Sequence, residues 1–339
     1  MEKLVSSWYK NKPLPESYIF PPETRPGNLT VPTCKTIPVI DLGKAEGRNR
    51  TRIVQQICKA SEEYGFFQVV NHGVPEDLMK ESMDVLKEFF EMPAEDKAVL
   101  YSEDPRNRCR LSTSSVNYAR EKVHHWRDNL RHPCLPGLED CIQLWPQKPI
   151  RYREVVARFS IEAKKLGSRI LEFVAEGLGL EPGYFGGELS EFMQLSVNHY
   201  PPCPDPSLTL GIAQHCDPNL VTILHQGDVN GLQVFNNGEW IRVEPLQNAF
   251  VVNIGNQLQI ISNDKLKSVE HRVVTNSNLA RTSAAFFIAP SGDSIIEPAK
   301  SLIGQASLYR AFEFKDFLLH YFPNLENNDV VMERFRSQA

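Results

Sequence analysis

His215 and Asp217 stand two residues apart in the stretch GIAQHCDPNLVTILHQ, which runs from 211 to 226. In an extended strand that spacing puts both side chains on one face, so an imidazole and a carboxylate project side by side. A third partner lies far along the chain, His271 in KSVEHRVVT. Two histidines and one carboxylate can hold one face of an octahedral metal such as Fe(II), leaving the other face for a co-substrate and dioxygen. A closed structural zinc site would be richer in cysteine. Taken alone, the pair also suits a hydrogen-bonded couple that only supports its strand.

Ten residues past His271, the segment ARTSAAFF brings Arg281 and Ser283 onto one strand face. A guanidinium grips a carboxylate with two prongs, and a serine hydroxyl adds a donor. A dicarboxylate could therefore chelate the metal at one end and be held here at the other. NHYPPCPDP (198–206) adds Asn198 and Tyr200 on a strand entering the same sheet.

These residues need a β scaffold, and the pattern supplies one. From about Phe192 to Ala289 short apolar runs alternate with turn signals, and Asn237-Gly238 in FNNGEW is a strong hairpin turn. Eight or so such strands point to a double-sheet jelly roll or a barrel. Ahead of them, a helix is predicted over 152–178, where Val155, Val156, Phe159, Leu166, Ile170 and Val174 recur at helical spacing. Further upstream, IPVIDL (37–42) and FFQVVNHGV (66–74) read as strands. Residues 51–64 and 75–90 read as helices, and Pro93 opens a short one that stops near Tyr101. Residues 102–124 read as a long loop, and the mixed charges at 94–110 as a solvated face. Trp8, Tyr9, Tyr18 and Phe20, interleaved with prolines, suggest an arm lying on the domain. The expected fold class is mixed α/β (α+β), a jelly-roll core with flanking helices. Residues 1–150 form an N-terminal region and 151–339 a catalytic region with a C-terminal helix, together one compact unit.

Composition limits the partners. The 339 residues are 41% hydrophobic and 23% charged with a net charge of -5, which offers no electrostatic footprint for nucleic acid. No apolar run is long enough to cross a bilayer. Seven scattered cysteines without a CxxC pair fit reduced thiols in a cytoplasmic protein. A monomer acting on a small molecule is expected. His72 reads as a hydrogen-bonded histidine at a strand-to-turn junction. His124, His125, His132 and His225 have no partner at metal spacing.

In order along the chain, IPVIDL, GFFQVVNHGV, NHYPPCP, HCD, GLQV, NIG, HRVV and RTS resemble the plant 2-oxoglutarate and Fe(II)-dependent dioxygenases. Within the family the chain most resembles the hyoscyamine 6-dioxygenase-like members and also, through LYSEDPRNRCRLSTSS and WRDNLRHPC, the downy mildew resistance 6-like oxygenases. The resemblance implies Fe(II), 2-oxoglutarate and O2, with ascorbate supporting turnover. It implies that His215, Asp217 and His271 bind iron and that Arg281 and Ser283 take the far carboxylate of 2-oxoglutarate, with Tyr200 and Asn198 near it. It further implies that Phe287 meets the substrate and that WRDNLR is a pocket strand turning Asn129 and Arg131 inward. The two departures are Cys216, where Thr or Tyr is usual, and His199, where Tyr is common. The implied reaction decarboxylates 2-oxoglutarate to succinate and CO2 while hydroxylating, desaturating or epoxidising a specialised metabolite. An inward Arg131 and the absence of acid in RLSTSSVN (110–117) favour an aromatic or phenolic substrate over a tropane-type amine. The alternatives are a non-catalytic ligand-binding protein and a cupin-like hydrolase or isomerase.

Overall fold

A computed structural model describes the chain apart from residues 1, 2, 12, 28–36, 46, 116, 117, 305, 338 and 339. Cys34 and the last two residues of RLSTSSVN thus lie outside the described residues. Twelve strands build the core: β1 Val39–Asp41, β2 Phe66–Val70, β3 Arg110–Thr113, β4 Asp128–Leu135, β5 Phe192–Tyr200, β6 Leu210–His215, β7 Val221–His225, β8 Leu232–Asn236, β9 Glu239–Arg242, β10 Phe250–Ile254, β11 His271–Val274 and β12 Arg281–Ala289. They form two sheets. The larger has the order β1-β2-β10-β7-β12-β5-β4-β3, and the smaller β6-β11-β8-β9. β2 pairs with β10 and β4 with β5, so strands from before and after residue 150 share one sheet.

The two faces of the large sheet differ because strand side chains alternate. On β12, Ala284, Phe286 and Ile288 turn outward into the main apolar core, where Phe286 meets Phe159 of the helix Tyr152–Leu178 edge-on at 5.1 Å. That helix buries the stripe predicted for it, and each large side chain so covered contributes about 1.5–3 kcal/mol. It rides close to the sheet because Gly167 has no side chain. A Cβ there would meet Ile288 Cδ1 at 2.1 Å. Arg281, Ser283 and Phe287 alternate with this set and face the gap between the sheets.

The N-terminal arm is anchored as its aromatics suggest. The backbone N–H groups of Val5 and Ser6 donate to the buried Asp128 carboxylate at 2.9 and 2.8 Å. Trp8 packs edge-on against Trp126 and Tyr18, and Phe20 stacks on His125.

Several expectations need correction. The stretch expected as a loop contains β3, whose Leu111 and Arg110 pair with Leu130 and Arg131 of β4. Its Ser- and Arg-rich composition hides an edge strand, because pairing with β4 supplies the order. β2 ends at Val70 and not near 74, since Asn71 and Gly73 take positive φ values of 52° and 94°. The charges at 94–110 are not all solvated. Lys97 is buried with its ammonium donating to the Phe90 carbonyl, and buried Arg110 donates to the Asp104 carbonyl at 3.0 Å. Helices Leu138–Leu144 and Asn256–Ile261 were not anticipated, and the C-terminus carries two helices, Phe314–Tyr321 and Asn328–Glu333. Among the described residues no helix is long and apolar enough to cross a membrane, and the six described cysteines are free thiols.

Candidate metal centre and co-substrate pocket

β6 and β11 are antiparallel neighbours, and their register sets His215 opposite His271. The two imidazoles lie 4.1 Å apart between centroids. Asp217, just beyond β6, turns its Oδ1 toward both, 3.6 Å from His215 Nε2 and 3.7 Å from His271 Nε2. Among the described residues this is the one cluster of histidine, cysteine and acidic side chains whose ligand atoms all fall within 4.8 Å of one another.

The surroundings fix which atoms face the centre. His215 Nδ1 lies 2.9 Å from the Ala213 carbonyl and His271 Nδ1 3.2 Å from that of Val269. A carbonyl can only accept, so each Nδ1 carries the proton and each Nε2 keeps its lone pair for a metal. Thr222 and Asn253, on β7 and β10 of the large sheet, donate to Asp217 Oδ2 at 2.6 and 2.8 Å. Oδ1 is thereby left for the metal. Burial raises the Asp217 carboxyl, but the two histidines and these hydrogen bonds outweigh it and hold the group below its ordinary value. Burial, followed by the neighbouring His271, depresses His215 to about 3. The residues therefore present two imidazole Nε2 atoms and a carboxylate, a donor set that fits Fe(II).

The expected clamp residues meet across β12 and β5. Arg281 sits opposite Tyr200 and Ser283 opposite Asn198, and all four are buried. Arg281 Nε donates to the Val229 carbonyl at 3.0 Å and Nη1 to Ser283 Oγ at 3.3 Å. Its guanidinium carbon lies 5.3 Å from the Tyr200 ring centre. Two glycines make this possible. A Cβ on Gly231 would approach Arg281 Cδ to 2.9 Å, and one on Gly211 would meet the Tyr200 ring at 2.6 Å. No acid among the described residues pairs with Arg281, so a buried cation stands ready for an anionic ligand.

β4 turns Asn129 and Arg131 to the same side as Asn198, Asn129 lying opposite Asn198 and Arg131 opposite Ser196. Asn129 Nδ2 donates to Ser196 Oγ, the Val197 carbonyl and Asn198 Oδ1. Arg127, which sequence reasoning did not single out, donates to Asn198 Oδ1 at 2.8 Å and to the Ser114 carbonyl at 2.7 Å. Its place two residues before Asn129 was the available signal. The Arg131 side chain has no hydrogen-bond or ion-pair partner among the described residues, and its Nε is buried. Burial, then Arg110 and Arg127, push it down to about 10, while Asp217 and Tyr321 pull the other way. Phe287 is half-buried and sits opposite Thr222, the residue that holds Asp217. Tyr321, also missed, comes from the helix Phe314–Tyr321 and donates to the Cys216 carbonyl between two of the ligands at 2.7 Å. The C-terminal segment thus covers this end of the barrel.

The two departures from the family pattern leave the ligands untouched. Cys216 is buried, with Sγ 3.7 Å from the Ser268 carbonyl. His199 faces away from the gap, stacked on Phe90 at 4.8 Å with Nδ1 3.0 Å from Thr282 Oγ1. His72 is hydrogen-bonded as expected, to the Asn248 carbonyl and the Val74 N–H.

Comparison with known proteins gives consistent matches. A family model described as the 2OG-Fe(II) oxygenase superfamily matches residues 191–290, and one described as the non-haem dioxygenase in morphine synthesis N-terminal matches 37–148. Hyoscyamine 6-dioxygenase of Hyoscyamus niger is 41% identical over 348 residues, covering 99% of each chain. Protein DMR6-LIKE OXYGENASE 1 of Arabidopsis thaliana is 43% identical over 93% of this chain and 91% of its own. The crystal structure of JOX2 in complex with 2OG, Fe, and JA superposes with a TM-score of 0.87 at 36% identity, covering 99% of this chain and 98% of that one.

Proposed function

Because the chain belongs to the 2OG-Fe(II) oxygenase superfamily, we propose that it oxidises a small aromatic or phenolic plant metabolite, neutral or weakly acidic, while converting 2-oxoglutarate to succinate and CO2. The reaction class itself follows from membership: the protein is a 2-oxoglutarate-dependent dioxygenase and uses iron. Bound Fe(II) supplies the oxidising power, drawing on dioxygen and 2-oxoglutarate.

The chain's own residues hold and orient. His215 Nε2, His271 Nε2 and Asp217 Oδ1 would take the iron. Arg281 and Ser283 would receive the far carboxylate of 2-oxoglutarate beside Tyr200. Asn198 already accepts from Arg127 and Asn129 through Oδ1, so its Nδ2–H is the atom left to donate to the co-substrate. Asn129 spends its Nδ2 on three acceptors, which leaves Oδ1 to receive a substrate hydroxyl. Phe287 would stack on the substrate ring, and ordering these groups before reaction lowers the entropic barrier.

The observation that carries the substrate class is Arg131, a guanidinium with no acid partner among the described residues and two further arginines near it. Such a wall repels an ammonium and attracts a phenolate or a polar oxygen. A basic amine is the second reading, and Glu121 is the acid that favours it. That carboxylate is already engaged by the Ser114 and Ser115 hydroxyls and by His124 at 2.7 Å. The test is a competition assay of hyoscyamine-type amines against phenolic and flavonoid compounds, with wild type and Arg131→Ala. Wild type should favour the phenolics and Arg131→Ala should lose that bias. An amine preference in wild type would restore the alkaloid reading.

A further inference from the structure

One imidazole beside the metal centre has no task in the scheme above. His125 lies three residues ahead of β4, in a turn where the Arg127 N–H donates to the His125 carbonyl at 2.9 Å, and two residues before Arg127, whose guanidinium reaches Asn198 Oδ1. Its neighbour Trp126 is packed under the N-terminal arm, donating through Nε1 to the Pro201 carbonyl at 2.9 Å. Both ring nitrogens of His125 are buried without a hydrogen-bond partner, and the residue is only 7% exposed. Arg127 and the ligand His215 are among its close neighbours. The ring rests flat on Phe20 of the arm, with centroids 5.9 Å apart and planes 11° apart.

A buried, unpaired imidazole is costly, and phenylalanine or leucine would fill the same space without that cost. His125 is outside the metal cluster, whose three ligands are complete without it. We propose that His125 is a specificity-determining residue that hydrogen-bonds a hydroxyl or carbonyl oxygen of the organic substrate, with the Phe20 stack holding the ring in plane. A neutral imidazole offers one donor and one acceptor, so it can take a phenolic hydroxyl or a ring carbonyl. The inference rests on the oxygenase reading and deepens it. It makes the N-terminal arm part of the substrate wall, through a single aromatic contact.

The test uses the full chain loaded with Mn(II) and 2-oxoglutarate under anaerobic conditions, with 2-naphthol and naphthalene as a pair of probes that differ by one hydroxyl. Wild type should bind 2-naphthol about 2- to 13-fold more tightly than naphthalene, the range for one net hydrogen bond. His125→Phe should bring that ratio close to one while naphthalene binding persists. His125→Asn and His125→Gln place an amide near the Nδ1 and Nε2 positions, and one of them should recover part of the preference. Phe20→Ala should narrow the ratio by loosening the ring. Thermal melting checks the fold of each variant, and His125→Leu replaces His125→Phe if the latter does not melt cooperatively. A ratio that survives in the apolar variants, or no preference in wild type, overturns the proposal. Failure of the oxygenase reading would show separately, as absent 2-oxoglutarate binding in wild type.

Discussion

Replacing Arg281 by lysine keeps the positive charge and removes the fork, which makes Arg281→Lys the sharpest test of the proposed co-substrate grip. In the native arrangement Nε is tied to the Val229 carbonyl at 3.0 Å and Nη1 to Ser283 at 3.3 Å, so the guanidinium plane is fixed before any ligand arrives. The Tyr200 ring on one side and Gly231 on the other leave little freedom. A lysine ammonium has no Nε–H for Val229 and offers a point charge where two parallel donors are needed. Losing one charge-assisted hydrogen bond costs about 1.5–3 kcal/mol. The affinity for 2-oxoglutarate should therefore fall by roughly 10- to 150-fold. Calorimetric titration of 2-oxoglutarate into the Mn(II)-loaded variant measures this directly, and succinate formation should recover in part at high 2-oxoglutarate. Metal affinity should stay within a few-fold, because Arg281 touches none of the three ligands. An unchanged 2-oxoglutarate affinity would refute the clamp. An equal fall in metal affinity would refute the claim that the effect is local.

Other perturbations separate the parts of the site. His215→Ala, Asp217→Ala and His271→Ala should each abolish succinate formation and Mn(II) binding while circular dichroism stays near wild type, since the strands keep their pairing. Asn253→Ala or Thr222→Val frees Asp217 Oδ2 and should weaken metal binding about 10- to 100-fold without removing a ligand, as read by metal titration. Gly231→Ala places a methyl 2.9 Å from Arg281 Cδ and should raise the 2-oxoglutarate KM with iron binding unchanged. His132 is held near 3 by burial, against an ordinary value of 6.5, and stays neutral in the native state well below the pH at which the unfolded chain takes up a proton. Its stability contribution is complete above pH 6.5 and declines as pH falls toward 3, by about 1.4 kcal/mol per unit. Urea unfolding of His132→Asn should therefore show a shallower acid slope than wild type.

What could be read from the sequence follows the range of the interaction involved. The two-residue spacings of His215 with Asp217 and of Arg281 with Ser283 were the legible signals: the structure sets Arg281 and Ser283 on one face of β12, while Asp217 reaches the histidines from just beyond the end of β6. The helix Tyr152–Leu178 was legible because its burial is one-sided and long. β3 was not, because its order comes from pairing with β4 and its own composition suits a loop. Arg127 escaped notice for a different reason. Its partner Asn198 lies 71 residues away, and only the β4–β5 register brings them together. His125 is the clearest case of this limit. Judged by spacing it had no metal partner. Its meaning comes from what surrounds it in space: an arm phenylalanine more than a hundred residues upstream, an arginine two positions on, and a ligand histidine on the opposing sheet. A buried polar group without a partner is invisible in a sequence, because burial and partnership are both tertiary facts. Residues that hold an invariant reaction partner can repeat as motifs, whereas those that read a variable substrate need only converge in space. The substrate wall is therefore the part of this enzyme that had to be found in the fold.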